Sequence, residues 1–200
     1  MNRPVFRLLT GATFLMLMAG AAEAHVGIGD ASGFSHGFLH PLGGLDHILA
    51  MVLVGLYAAQ LGGRAVWLVP ASFVCLMIAG GGLGVAGVSV PFIELGIGLS
   101  VVVLGAAVAF GFRIAPAAAM ALVGFFAIFH GHAHGTEMPE TAASLAYGAG
   151  FVAATALLHA LGVAGGLVLG RQSTAGGQML VRCAGGAASL AGVALITGIL

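Results

Sequence analysis

Charge is what this 200-residue chain has least of: 6% of its residues are Asp, Glu, Lys or Arg, and lysine is absent altogether. A soluble domain carries about a quarter charged residues because its surface faces water, so a water-covered surface is excluded. Formal net charge is zero and no basic stripe occurs, which leaves nucleic-acid binding without an electrostatic footing. There is no Gly-rich phosphate loop ending in Lys and Ser or Thr, so the chain cannot itself draw on ATP. The two cysteines, Cys75 and Cys183, both fall in apolar segments, which excludes a disulfide framework. Each reads as a small buried hydrophobe, with a soft metal ligand as the alternative. The apolar runs lack the alternation of a membrane β-barrel.

What remains is apolar: mean hydropathy is +1.14. At the N-terminus Arg3 and Arg7 precede an apolar stretch from Leu8 to Met18, and Ala22-Glu23-Ala24 has the small-x-small pattern of a cleavage site. Residues 1–24 are therefore expected to be a cleaved export signal, so that the mature chain begins at His25 in the bacterial periplasm. Six apolar segments follow, at about 43–62, 65–87, 91–111, 115–134, 142–169 and 178–200, each near the ~20 residues that span a bilayer. Only helices satisfy the backbone there, so the expected fold is all-α: one polytopic membrane bundle over residues 25–200. The 35 glycines suit it, because small residues let membrane helices approach closely.

Orientation follows from two clues. Signal cleavage puts His25 outside, so the first mature helix runs inward. The connections at Arg64, Arg113 and Arg171–Arg182 are then all cytoplasmic, as the positive-inside rule demands, and Asp30, Glu137 and Glu140 fall outside. Trp67 and Tyr147 fit the inner and outer interfacial aromatic belts. Three helices followed by three invite an inverted-repeat reading, although the halves show no clear sequence similarity.

The chemistry is carried by eight histidines, seven of them in two groups. The first comprises His25, His36, His40 and His47 and contains His40-Pro41-Leu42-Gly43-Gly44-Leu45-Asp46-His47. Pro41 disfavours a helical conformation at His40, so a helix is expected to start just after it, with Asp46 and His47 in its first turns. The second group is His130-Gly131-His132-Ala133-His134-Gly135-Thr136-Glu137. In a helix, His130 and His134 share a face, with Glu137 nearly on it. Glu94 lies near the outer start of the third span. Asp46, His47, Glu94, His130 and His134 thus come from three helices at one membrane level, and imidazoles with carboxylates suit nickel, cobalt, zinc or copper. Ionisable groups within spans are costly and point to an ion path.

Blander readings exist for the parts. Asp46 and Glu94 each suit a helix start, where acids are stabilised, and His132 fits a polar helix end. The convergence of three helices on one level favours metal binding over these. His159, deep in the fifth span with Thr155 one turn before it, reads either as an inner station for a departing ion or as a histidine hydrogen-bonded to a neighbouring helix. His25 and His36 are accessory candidates, a capture arm that passes an ion toward Asp46 and His47. Met51 and Met77 read as packing, with soft contact as the alternative.

The His40-to-His47 stretch with Met51 and Gly55, the segment from Trp67 to Gly84, and the run from Phe129 to Glu137 together resemble the HupE/UreJ family over essentially all of the mature chain. That resemblance implies a nickel, in some cases cobalt, permease associated with hydrogenase or urease. It carries over importance for transport to His40, Asp46, His47, Glu94, His130 and Glu137; His134 is added from helix spacing. Two departures stand out. Transporters of the wider nickel/cobalt superfamily place four residues between the first histidine and the Asp-His pair, whereas five separate His40 from Asp46 here. Tyr57 stands where a tryptophan is common.

The expected function is inner-membrane uptake of a divalent transition metal, nickel foremost, as cargo rather than as a resident cofactor. The partners would be the metal ion, the bilayer and metal-delivery proteins of the periplasm or outer membrane. The alternatives are a membrane metalloenzyme, or a periplasm-facing metal-binding protein without transport.

Overall fold

Helix termini in this chain are written in glycine and proline. The computed structural model describes residues 33–138, 144–171 and 175–200. A short helix α1 (Gly33–Leu39) leads through a 3-10 turn (His40–Leu42) into α2 (Leu45–Leu61). There follow α3 (Ala65–Val85), α4 (Ile93–Phe110), α5 (Pro116–Thr136), α6 (Ser144–Arg171) and α7 (Ala175–Ile196), with no strand among the described residues. Five of these helices are long and apolar enough to cross a membrane, and a sixth span exists if α1 and α2 are counted as one bent unit. The signal segment, His25, Asp30 and Glu140 lie outside the described residues.

His40, where Pro41 was expected to disfavour a helical conformation, continues a helix into a 3-10 turn. Pro41 sits in the first turn of the 3-10 segment, where its missing N–H costs nothing, and His40 is inside that turn rather than excluded from it. Gly43 and Gly44 then turn the chain by 81° into α2. At the far end, Gly62 and Gly63 take positive φ values of 72° and 52° and close α2, a conformation glycine adopts without steric cost. Phe92, with φ 59°, is the non-glycine residue in that region among the described residues and caps the start of α4. Pro70 lies inside α3, where neighbouring helices let a membrane span tolerate it.

The bundle is built from three tightly packed helix pairs. In α3–α5, Gly80 and Gly84 lie on the backbone of Ile128 and His132, while Gly131 and Gly135 lie on that of Met77 and Gly81. In α2–α6, Gly55 and Gly162 make the same kind of contact, and Gly166 lies on the Ala59 methyl. In α4–α7 the contact runs through Gly105, Gly185 and Gly192. No side chain fits at these crossings, which is what lets lipid-embedded helices gain packing energy without a hydrophobic drive between them.

Two expectations about side-chain placement change. Cys75 and Cys183 are exposed rather than buried, because helix register points them away from the bundle. Where the surroundings of a span are lipid, a small apolar residue gains little by facing inward. Tyr147, read as an interfacial residue, is 2% exposed and packs beneath α1, whereas Trp67 is 76% exposed.

Candidate metal centre

The starts of α2, α4 and α6 and the end of α5 meet at one end of the bundle, and there the histidines gather. Gly44, extended at φ −105° and ψ 122°, is the N-cap of α2, and a Cβ on it would meet Asp46 and His47. The absent side chain leaves room for these two to fold onto each other. Asp46 Oδ1 accepts the backbone N–H of His47 at 2.8 Å and lies 2.8 Å from the His47 Nδ1. A carboxylate behind Nδ1 fixes both ring orientation and tautomer, leaving Nε2 as the outward-facing atom.

That Nε2 faces the Nε2 of His134 at 2.6 Å. Two imidazole nitrogens at this separation share one proton or give their lone pairs to a common cation. His130, one turn before His134 on the same face of α5, lies beside this pair, its ring 4.8 Å from that of His47. The Nε2 of His130 lies 2.9 Å from Ser100 Oγ, and the Ser100 hydroxyl donates to the Ile97 carbonyl at 2.6 Å. With its proton so placed, the serine oxygen accepts from Nε2–H, and His130 Nδ1 keeps a lone pair that is buried without a hydrogen-bond partner.

Above this group lies a second, more open one. His40, from the 3-10 turn, approaches Glu137 Oε2 at 3.3 Å through Nε2, and His134 Nδ1 lies 3.7 Å from the same oxygen. One ligand atom from each of His40, His134 and Glu137 falls within 4.8 Å of the others. Donors so spaced can share an ion at the ~2 Å bond lengths of first-row metals. Phe151 walls one side, its ring 4.2 Å from that of His134. His134 thus belongs to both groups and links them.

The structure brings together His40, Asp46, His47, His130, His134 and Glu137. It does not bring Glu94 to them: that residue is exposed on the first turn of α4, with no contact to a histidine among the described residues. His36 is exposed at the edge, its ring 6.2 Å from that of His40 and 5.6 Å from that of Tyr147. His132 turns the other way and bonds the Val88 carbonyl at 2.7 Å, pinning the α3–α4 connection. His159 lies deeper, 2% exposed, with Phe73 between it and His130. Sequence reasoning missed Ser100 and Phe151. A lone serine in an apolar span was a signal for the first; nothing distinguished the second from other apolar residues.

A cavity of about 440 Å³ opens at the opposite end of the bundle, lined in part by Gln60, Arg113, Gly166 and Arg182. It is remote from the metal-ligating chemistry, and Arg182 there is held by the carbonyls of Ala109 and Phe110.

The sequence profile of the family described as "HupE / UreJ protein" matches residues 13–195. The chain is 47% identical over 190 residues to Protein HupE of Rhizobium leguminosarum bv. viciae, covering 95% of this chain and 97% of that protein. No solved structure matches it.

Proposed function

Because the chain belongs to the HupE/UreJ family, whose members are metal permease or accessory proteins rather than enzymes, we propose that it carries a divalent transition-metal ion, nickel foremost, into the cell to supply hydrogenase or urease. The observation that carries this reading is the nitrogen-to-nitrogen approach of His47 and His134 at 2.6 Å, with Asp46 behind one ring and Glu137 beside the other. Imidazole and carboxylate donors without thiolate suit nickel and cobalt and do not select the soft monovalent copper ion.

In this reading the histidine end faces the periplasm of the inner membrane, residues 1–24 are a cleaved signal, and Arg64, Arg113 and Arg182 face the cytoplasm. Periplasmic metal-delivery proteins would present the ion to His40 and Glu137, with His25 and His36 as an accessory arm. Glu94, exposed at the same end, would act during approach rather than in the inner group. The test is radioactive nickel uptake into vesicles containing the full-length protein. Uptake above protein-free vesicles that falls at least tenfold in His134→Ala supports the reading, on the scale expected for losing a ligand. Uptake equal to protein-free vesicles overturns it and leaves a metal-binding protein without transport.

A further inference from the structure

Two independent observations meet in the middle of the bundle. The first is His159, buried, with neither ring nitrogen hydrogen-bonded. A neutral imidazole carries one donor and one acceptor, and a buried site that satisfies neither calls for an explanation.

The second is a repeat in the packing. Gly55 of α2 lies on the His159 carbonyl as Gly131 of α5 lies on that of Met77. Gly162 of α6 lies on the Val52 carbonyl as Gly80 of α3 lies on that of Ile128. Gly166 meets Leu56 as Gly84 meets His132. One constant shift along the chain takes α2 to α5, and another takes α3 to α6. Helix α2 runs away from the histidine end and α5 towards it, so the operation turns the molecule over. Helices α4 and α7 exchange with each other, Gly98 on Ile196 being the counterpart of Gly185 on Ala109. This is the pseudo-two-fold of an inverted repeat, with its axis in the membrane plane.

Under that operation Met77 exchanges with His159, and Phe73 with Thr155. Their contacts exchange as well: the Thr155 hydroxyl donates to Met77 Sδ at 3.7 Å, and the Phe73 ring stands edge-on to His159 at 5.1 Å. The four side chains therefore surround the axis, the place where repeat-built transporters hold their substrate. On its other side Phe73 lies 5.7 Å from the His130 ring.

We propose that His159, with the Met77 thioether and the Thr155 hydroxyl, forms a second and deeper station for the divalent metal ion, divided from the outer histidines by Phe73. The inference rests on the transport reading above and names its next step. The imidazole suits nickel, and a single soft thioether beside it, with no carboxylate among these donors, holds a divalent ion weakly enough to release it. The route continues along α6, where Gly166, about two turns beyond His159, lines the cavity at the arginine end.

The experiment compares the wild-type full-length protein with His159→Gln and Met77→Leu, measuring nickel bound per protein in detergent and nickel uptake in vesicles. Wild type should bind two ions. His159→Gln should bind one, keep the outer affinity, and take up nickel about tenfold more slowly. Met77→Leu conserves volume and should weaken the second ion alone, with uptake lowered roughly threefold. Should His159→Gln lose the outer site too, its fold is at fault and Met77→Leu decides. A second ion retained in His159→Gln, or wild-type uptake in Met77→Leu, overturns the station while leaving the transport reading intact. Wild-type protein that binds two ions but takes up none overturns the transport reading instead.

Discussion

At the scale of single residues, the metal centre depends on which nitrogen each imidazole offers. Asp46 holds His47 by Nδ1 and Ser100 holds His130 by Nε2, so the two rings are left with opposite nitrogens free of these anchors. Replacing Asp46 by Asn keeps the shape but removes the charge behind the ring; nickel affinity measured by titration should fall by about 10–100-fold, as for other partners of a ligand. His134→Ala should lose at least as much, since His134 serves both groups. Glu94→Gln should leave equilibrium affinity within about twofold, consistent with its distance from the cluster; a loss matching that of His134→Ala would place Glu94 among the ligands. The sequence made the residue types and the i, i+4 spacing of His130 and His134 readable. It could not reveal that His132, two residues away, faces a backbone carbonyl instead, because that depends on where the α3–α4 connection passes.

At the scale of elements, hydropathy located the long apolar helices to within a few residues, although α2 reaches the length of a span only together with α1. The short α1 escaped notice because a seven-residue helix has no apolar run to announce it. Its place is set by tertiary contact, with Gly37 lying on Tyr147 and Gly150 on Phe34. That contact brings His40 over His134, so part of the metal centre was hidden for the same reason. The glycine crossings give a direct test. A Cβ at Gly131 would run into the Met77 backbone, whereas Gly82 on α3 has open space around it. Gly131→Ala should destabilise the protein by about 1–3 kcal/mol, the range of overpacking, and lower its melting temperature in detergent. Gly82→Ala should leave the melting temperature unchanged or raise it slightly, alanine being the better helix former. Equal effects at the two positions would show that close approach of α3 and α5 is not what holds them.

At the scale of the whole molecule, the pairing of helices says more than their order. The pairs α2–α6 and α3–α5 exchange under the repeat, and α4–α7 maps onto itself, so two equivalent halves can rock about a shared centre. Such rocking has a direction only if the two ends face different compartments. The histidine end gathers Asp46, Glu94 and Glu137, and the arginine end carries Arg64, Arg113 and Arg182. The positive-inside rule predicts that the latter faces the cytoplasm. The native thiols must first be removed, since Cys75 and Cys183 are exposed, and their outward positions make replacement by alanine mild. In that background, Val88→Cys reports the connection at the histidine end and Arg113→Cys the one at the arginine end; both positions are exposed. A thiol reagent that cannot cross the inner membrane should label Val88→Cys in intact cells and Arg113→Cys only after permeabilisation. Saturating nickel should leave labelling of Val88→Cys unchanged, because its connection lies outside the ligand cluster, which separates orientation from any effect of the ion. The reverse pattern of labelling would put the histidines on the cytoplasmic side and turn uptake into export. Both sites labelled in intact cells would mean that these connections do not lie on opposite faces, and the bundle would lose its claim to carry an ion between two compartments.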